Sequence, residues 1–388
     1  MFGNLKRGLG LALFTLALAA CRVVPDTGGP VTGPAPVATP VPSATGLPQD
    51  EGRHRVALLV PLSGANAEVG QAIANATTMA LLDTNAENLR ITTYDTAAGA
   101  GRAAQRAVAD GNKLILGPLV RDDVAPIAAQ ARPANVPLIT FSNDSALAQG
   151  DVFVMGNVPE QSIARTVSFA VTQGARRFAA LVPEGEYGER AAAALRRAVE
   201  QSGATMASTE TYNRGNTSIV SAATRLRTRG GYDTVMIADG ARLAALAAAQ
   251  LKDAGASLPS LIGPELWSSE GSLTSSSSMR GAWFSSVSDA RYRQFATSYE
   301  ARFGSAPPRI ASLGYDAVLL TLRVAREWRP GQTFPASRMV DPGGFLGVDG
   351  AFRFGATGLG ERSFEVREVS NGSFSIVDAA PREFPAQR

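Results

Sequence analysis

Few residues of this chain could carry out catalysis. Among its 388 residues there are one histidine, His54, and one cysteine, Cys21. His54 stands at the start of an apolar run that predicts a buried strand, so a Ser–His–Asp arrangement has no well-placed base. A zinc site of the usual kind needs several histidine or cysteine ligands, which this chain lacks. The sequence therefore predicts no catalytic residue, no metal site and no cofactor.

Two other kinds of active site are also disfavoured. Glu184 and Glu186 could serve as a glycosidase pair only if a cleft held them roughly 5–9.5 Å apart across a sugar. Their position in a Gly-containing loop indicates solvated side chains instead. The loop Pro61–Ala67 follows a predicted strand, but it has no Gly-x-x-x-x-Gly-Lys pattern that would cradle a nucleotide phosphate. We therefore expect a protein that is not an enzyme.

The chain begins with the pattern of a secretory leader. Lys6 and Arg7 precede an apolar core, and small residues follow it. Residues 1–20 therefore predict a signal peptide, and their apolar core is too short to span a bilayer.

A lipid anchor is predicted directly after the leader. The sequence Leu18-Ala19-Ala20-Cys21 resembles the lipobox of bacterial lipoproteins, which implies cleavage before Cys21 and lipidation of its sulfur. An incidental free cysteine is the alternative. Arg22, where an aspartate would retain the protein in the inner membrane, resembles the sorting state of outer-membrane lipoproteins. Residues 21–52 then form a proline-rich linker that could hold the rest of the chain away from the membrane.

The charge balance gives no sign of a nucleic-acid partner. The formal net charge of +3 includes two basic residues of the leader, and lysine occurs at only three positions. The basic pI therefore does not come from a clustered basic patch of the kind that binds phosphates.

Beyond the linker, strand and helix patterns alternate with short connections. Val56–Leu62 is an apolar run typical of a strand covered on both faces, and an amphipathic helix pattern follows Gly64. Three further strands with intervening helices predict one doubly wound α/β lobe over residues 53–158. Because ligands of such sheets bind beyond the carboxyl ends of the strands, the loops after these strands are the expected walls of a site.

A second lobe of similar plan is predicted over residues 159–282. The stretch 268–278 is too rich in serine for a core element. We expect residues 283–345 to return to the first lobe, and the alternating strands of 346–378 to complete the second lobe before a tail at 379–388. The predicted fold class is α/β, with two Rossmann-like lobes joined by a hinge of several crossings and a site between them.

Six segments carry a resemblance to a known family. They are Val56–Leu62, Leu116–Pro118, Pro137–Ser142, Val182–Gly188, Gly314–Val318 and Gly350–Phe354. Their order and spacing resemble the type I periplasmic binding proteins of the leucine/isoleucine/valine-binding branch, over about residues 53–378. Within that branch, the lipid anchor, the proline-rich linker and Gly117–Asp123 look most like the penicillin-binding protein activator lipoproteins.

The resemblance implies where a ligand would be held. Amino-acid binders of this branch use hydroxyl residues and backbone N–H groups after the third and fourth strands for the ligand carboxylate. An acid from the second lobe meets the ammonium group, since a zwitterion that leaves water needs both charges compensated. By position, Ser142 and Asn143 match the carboxylate side, Tyr187 an aromatic wall and Glu265 the acid. After the third strand the expected serines are replaced by Arg121, next to two aspartates that oppose an anion.

Ser63 and Asp239 complete the candidate cleft residues. Ser63 follows the first strand, and Asp239 follows a strand of the second lobe. Each candidate has a structural alternative. Asp239, Ser142 and Asn143 could serve only as turn or cap residues, Tyr187 could cover the edge of its lobe, and Glu265 could be a solvated loop acid.

Two functions remain in competition. The first, implied by the closer resemblance, is a lipid-anchored regulator on the periplasmic face of the outer membrane that activates a class A penicillin-binding protein in peptidoglycan synthesis. The second is a receptor that delivers branched-chain or other small amino acids to an ABC importer. A hydrolase acting on wall fragments is a remote third.

Overall fold

The computed structural model describes residues 52–252, 259–268, 270–381 and 384. The predicted signal peptide, the lipidation site Cys21 and nearly all of the proline-rich linker lie outside the described residues. The part that the structure describes contains no helix both long and apolar enough to cross a membrane.

The first lobe is built on a parallel sheet of five strands in the order β2-β1-β3-β4-β5. Its β1 strand is almost wholly buried, as an apolar run with helices on both faces requires. The elements of this lobe are β1 (His54–Val60), α1 (Ala67–Asp83), β2 (Leu89–Asp95), α2 (Ala100–Ala109), β3 (Leu114–Leu116), α3 (Val124–Ala131), β4 (Leu138–Thr140) and β5 (Val152–Val154).

The second lobe is built on a seven-stranded sheet in the order β15-β14-β10-β9-β8-β6-β7. Five of its strands run parallel, and β14 and β15 are antiparallel. The elements from residue 159 to 286 are α4 (Pro159–Thr172), β6 (Arg177–Pro183), α5 (Glu186–Gln201), β7 (Thr205–Tyr212), α6 (Ser218–Arg229), β8 (Thr234–Ile237), α7 (Ala241–Leu251), β9 (Ser260–Gly263), α8 (Ser272–Ser275) and β10 (Trp283–Ser286). The remaining elements are α9 (Ala290–Phe303), α10 (Ser312–Ala325), β11 (Phe345–Gly347), β12 (Gly350–Phe354), β13 (Gly360–Arg362), β14 (Glu365–Ser370) and β15 (Ser373–Asp378).

The chain crosses between the lobes three times. The first crossing joins β5 to α4, the second joins β10 to α9, and the third joins β13 to β14. Helix α10 packs on α1, so the segment between the second and third crossings belongs to the first lobe. The prediction of two doubly wound lobes joined by a multi-crossing hinge is confirmed.

The structure places three segments differently from the prediction. Strand β10 was expected to begin the return to the first lobe, but it pairs with β9 and β14 in the second sheet. Residues 346–362 were expected to belong to the second lobe, but they contribute to β11, β12 and β13, which form a separate three-stranded sheet. Phe352 and Phe354 of that sheet pack into the core of the first lobe, because alternate side chains of β12 point to one face. The serine-rich stretch 268–278 contains the short helix α8, and its Leu273 is buried.

In each lobe a glycine brings together the first strand and the helix that follows it. A β-carbon added to Gly70 of α1 would lie 1.8 Å from the carbonyl oxygen of Pro61, which follows β1. One added to Gly188 of α5 would lie 1.7 Å from the carbonyl oxygen of Pro183, the last residue of β6. Only glycine permits these approaches, so both helices begin directly against the carboxyl edge of their sheet.

Candidate functional site

The predicted site residues lie on loops at the carboxyl ends of the two parallel sheets. Arg121 follows β3, and Ser142 and Asn143 follow β4 in the first lobe. In the second lobe, Tyr187 lies in the first turn of α5, Asp239 follows β8 and Glu265 follows β9. This is the edge at which open α/β sheets bind their ligands.

Glu265 is a half-buried acid held by a hydroxyl of α4. Ser162 donates from its Oγ to Oε2 of Glu265 at 2.6 Å, and the same Oγ accepts from the backbone N–H of Glu265 at 3.3 Å. Burial raises the pKa of the Glu265 carboxyl, and the Ser162 hydrogen bond opposes that shift only in part. Glu265 is therefore not the freely solvated loop acid of the alternative interpretation.

Asp239 is tied into the second lobe by four hydrogen bonds. Its Oδ2 accepts from the hydroxyl of Tyr212 at 2.6 Å and from Nε of Arg214 at 2.9 Å. Its Oδ1 accepts from the N–H of Gly240 at 2.8 Å, and its carbonyl oxygen accepts from Nε1 of Trp267 at 2.7 Å. These contacts favour the structural interpretation of Asp239, because both carboxylate oxygens already have partners.

Tyr187 brings an unsatisfied hydroxyl to the same region. Its oxygen is buried and has no hydrogen-bond partner among the described residues, while the guanidinium of Arg214 lies 5.1 Å from its ring centre. Burial raises the pKa of the Tyr187 hydroxyl far above its usual value, and the negative charges of Glu265 and Asp239 add to the shift. A buried hydroxyl without a partner is uncommon in folded proteins, so this one marks a place where a further polar group would fit.

Arg121 reaches across from the first lobe to the second. Its Nε lies 2.8 Å from Oδ2 of Asp144, in the loop after β4, and its Nη1 pairs with the carboxylate of Glu186 at the start of α5. The arginine that replaces the expected serines is therefore already paired with two carboxylates, one from each lobe. Glu186 is thus paired with an arginine while its side chain remains 61% exposed.

A second arginine, which the sequence analysis did not single out, makes the other bridge. Arg190 of α5 holds Glu160 of α4 in a two-pronged contact, with Nε–Oε1 at 3.0 Å and Nη2–Oε2 at 3.1 Å. Its Nη2 also donates to the carbonyl oxygen of Asn143 in the first lobe at 2.8 Å. The signal was present in the sequence, because Arg190 follows Glu186 and Tyr187 by one helical turn and so shares their face of α5. We call Arg121–Glu186 and Arg190–Asn143 the cleft bridges.

The remaining predicted residues make local contacts. The Oγ of Ser142 accepts from the N–H of Asp144 at 3.3 Å, which is a turn contact. The Oγ of Ser63 donates to Oδ2 of Asp95 at 3.1 Å, at the end of β2. The structure therefore brings Tyr187, Asp239 and Glu265 together, connects Arg121 and Asn143 to that group through the bridges, and leaves Ser63 in a contact of its own.

A groove runs beside the loop that follows β1. It has a volume of about 860 Å³ and is lined by residues that include Leu62, Glu68, Asn75 and Tyr299. Part of the Pro61–Ala67 loop thus does line a groove, although this groove follows α1 and the segment before α10. Within the described ranges, no cluster of three or more histidine, cysteine, aspartate or glutamate side chains could hold a metal ion.

Solved structures with the same fold include proteins of ABC transporters, some of them in complex with small molecules. The chain superposes on a putative branched-chain amino acid ABC transporter protein from Rhodospirillum rubrum with a TM-score of 0.75 at 19% identity, over 84% of this chain and 100% of that one. A branched-chain amino acid transporter substrate binding protein from Streptococcus pneumoniae, in complex with isoleucine, gives a TM-score of 0.61 at 20% identity. The superposition covers 85% of this chain and 100% of that one. A solute binding protein of an ABC transporter from R. palustris, in complex with benzoate, gives a TM-score of 0.60 at 17% identity. That superposition covers 86% of this chain and 98% of the other. At these identities the likeness shows the shared fold.

One curated relative matches part of the chain. An uncharacterized protein of Rickettsia prowazekii is 29% identical over 159 residues, which is 40% of this chain. The matched part spans 43% of that relative's length.

The family model described as periplasmic binding protein matches residues 54–362, which include the first lobe, the five parallel strands of the second lobe and the first two crossings. This is well over half of the chain, and the region agrees with the two parallel sheets and the hinge described above. The chain therefore belongs to the periplasmic binding protein family.

Proposed function

We propose that the protein is a non-catalytic lipoprotein on the periplasmic face of the outer membrane that activates a class A penicillin-binding protein. The periplasmic binding fold then serves as a docking body rather than as a carrier of solutes. The role itself comes from the resemblance of the anchor, the linker and Gly117–Asp123 to activator lipoproteins.

One observation supports this proposal most. Arg121 occupies the place where hydroxyl residues would hold the carboxylate of an amino acid, and its guanidinium is already paired with Asp144 and Glu186. A ligand carboxylate would have to compete with two fixed carboxylates for the same donor, and their negative charges would repel it. This arrangement favours a protein that works through its surface.

A reconstituted synthesis assay tests the proposal. We expect the protein to co-purify with a class A penicillin-binding protein of the same cell and to raise its rate of glycan polymerisation or crosslinking. Absence of both binding and stimulation contradicts the proposal. A Cys21→Ser chain is the control for the anchor. In detergent solution it should stimulate the enzyme as the native chain does. In cells it should no longer be bound to the outer membrane and should no longer stimulate the enzyme.

A receptor for a small solute is the second candidate, and a different observation favours it. The hydroxyl of Tyr187 is buried without a partner among the described residues, beside the acid Glu265 whose pKa is raised. A ligand with an ammonium or hydroxyl group could satisfy both. Two of the structural neighbours are described with isoleucine and benzoate.

Calorimetry separates the two candidates. If the cleft holds an amino acid, leucine or isoleucine should bind, and Glu265→Gln or Tyr187→Phe should weaken binding about 10-fold or more, because each leaves a buried partner unsatisfied. Thr228→Ala, on the surface of α6, is the matched control and should bind as the native chain does. Absence of heat with amino acids and with benzoate removes the receptor hypothesis and leaves the docking proposal standing.

A further inference from the structure

The second and third crossings between the lobes meet at one carboxylate, that of Asp289. Asp289 lies between β10 of the second lobe and α9. Its Oδ1 pairs with Nη1 of Arg309, which precedes α10 of the first lobe, and its Oδ2 accepts from Nη1 of Arg367 on β14 at 2.6 Å. Burial alone would raise the pKa of Asp289, but the hydrogen bonds from Arg367 and Arg309 lower it. One charged carboxylate thus holds one arginine from each lobe.

Both arginines are also fixed on their far sides. Arg309 donates from Nε to Oδ1 of Asp349 at 2.9 Å and from Nη2 to the carbonyl oxygen of Ser288 at 3.1 Å. Arg367 donates from Nε to Oε1 of Glu365 at 2.7 Å and from Nη2 to the carbonyl oxygen of Val287 at 3.1 Å. Asp349 therefore ties Arg309 to the first lobe and Glu365 ties Arg367 to β14, while both arginines also hold the backbone of the second crossing.

The first and third crossings are joined by a side-chain amide. Gln161, at the start of α4, donates from Nε2 to the carbonyl oxygen of Gly360 at 2.6 Å and accepts at Oε1 from the N–H of Arg362 at 3.1 Å. The amide pairs with β13 much as a neighbouring strand would. Arg362 adds a hydrogen bond from Nη2 to the carbonyl oxygen of Met155 at 2.8 Å, at the start of the first crossing.

We propose that these contacts form a hinge clasp, centred on Asp289, that fixes the angle between the lobes when no ligand is bound. Domain closure about a hinge needs the crossing segments to change their backbone angles relative to one another. With the clasp intact, such a change must pull a charged arginine away from the partly buried carboxylate of Asp289, and water replaces the lost partner only in part. The lobes therefore keep one arrangement, and a ligand can change it only through a large difference in affinity between the two arrangements. The inference concerns the hinge and does not depend on the proposed function.

Distance measurement between the lobes tests the clasp. Spin labels are placed at Glu87→Cys in the first lobe and Thr228→Cys in the second, in the full chain carrying Cys21→Ser, because the native chain has no other cysteine. Both positions are exposed. Without any ligand, double electron–electron resonance should give a single narrow distance distribution. Asp289→Asn should widen that distribution at least about twofold and shift it to a different mean, since a neutral amide cannot hold two arginines.

The matched control is Asp151→Asn, which removes a carboxylate held by Arg132 at 2.6 and 3.1 Å entirely within the first lobe. It should leave the distribution unchanged. Where Asp289→Asn fails to fold, Arg309→Lys replaces it, because lysine keeps the charge but cannot reach both Asp289 and Asp349. A native distribution that is already broad, or a folded variant with the native distribution, overturns the inference. Failure of both variants to fold also counts against it, since the contact would then serve folding rather than the angle.

Discussion

The two lobes contact each other through charges in two regions, and these regions differ in burial. In the cleft bridges, Arg121 is 47% exposed and its partner Glu186 is 61% exposed. In the hinge clasp, Arg309 is 18% exposed and Asp289 is 28% exposed. Water competes strongly for an exposed ion pair, whereas a buried arginine that loses its partner has nothing to replace it. The bridges therefore close the cleft weakly and reversibly, and the clasp determines the arrangement of the lobes.

The largest expected effect is the loss of a clasp arginine. Arg367→Met should lower the free energy of unfolding by about 3–5 kcal/mol, because Glu365 is left as a buried charge without its main partner and the partly buried Asp289 keeps only Arg309. Urea denaturation followed by circular dichroism measures the change. Arg225→Met, which removes a half-exposed partner of Glu210 inside the second lobe, is the control and should cost much less. An equal loss in both variants would contradict the distinction between buried and exposed pairs.

The next effect is a dependence of stability on pH that comes from the buried carboxyl of Asp316. This side chain of α10 is 1% exposed, and its Oδ1 accepts from the N–H of Val348 at 2.6 Å. Burial raises the pKa of Asp316 from 3.8 to about 7, and the negative charge of Asp349 adds to the shift while Arg362 opposes it. The folded state therefore holds a proton that the unfolded chain has released. As the pH rises from about 4 to 7, this group alone should lower the free energy of unfolding by about 1.4 kcal/mol per pH unit. Above about pH 7 it should cause no further loss.

Asp316→Asn should remove that dependence, and the difference in stability between the two chains isolates it from other titrating groups. Asp95→Asn is the matched control. Hydrogen bonds from the N–H groups of Leu62 and Ala97 lower the pKa of Asp95, so its contribution is present above pH 3.8 and is lost only at lower pH. The control should therefore keep the native slope between pH 4 and 7. A native slope in the Asp316→Asn chain would show that Asp316 does not retain the proton.

The smallest effect is expected at the cleft. Glu186→Gln removes the exposed partner of Arg121 and leaves the contact of Arg121 with the buried Asp144 in place, so it should change the free energy of unfolding by less than about 1 kcal/mol, and 1 M salt should abolish most of that difference. Arg190→Met provides the comparison, because Arg190 and Glu160 are both less than one quarter exposed and meet in two-pronged geometry. Arg190→Met should lower the free energy of unfolding more than Glu186→Gln does, and its effect should depend less on salt. Equal losses of unfolding free energy in the two variants would show that burial does not determine how much each contact contributes to stability.

The sequence predicted the strands and helices well because local patterns specify them. Uninterrupted apolar runs such as Val56–Leu62 predict strands covered on both faces, and β1 and β6 are buried accordingly. Short strands lack such a signal. Strand β5 (Val152–Val154) has only three residues and was not predicted, although it forms the edge of the first sheet.

The candidate site was predicted only in part. Glu265 and Tyr187 follow a strand and begin a helix, so their positions on the carboxyl edge could be deduced from the alternation of elements. The partners of these residues could not be deduced, because Ser162 and Arg214 come from elements far away in the chain. The hinge clasp shows the same limit more strongly. Asp289 and Arg367 are separated by 78 positions, and no local pattern relates them.

The two glycine contacts described in the fold have a consequence for the edges at which the two sheets present their loops. Gly70 places one helix against Pro61, and Gly188 places another against Pro183, so the helix at each edge is positioned by a contact within its own lobe. An alanine at either glycine would push back a single helix by the width of a methyl group. The helix of the other lobe would keep its position, so the two lobes could be altered independently at this edge.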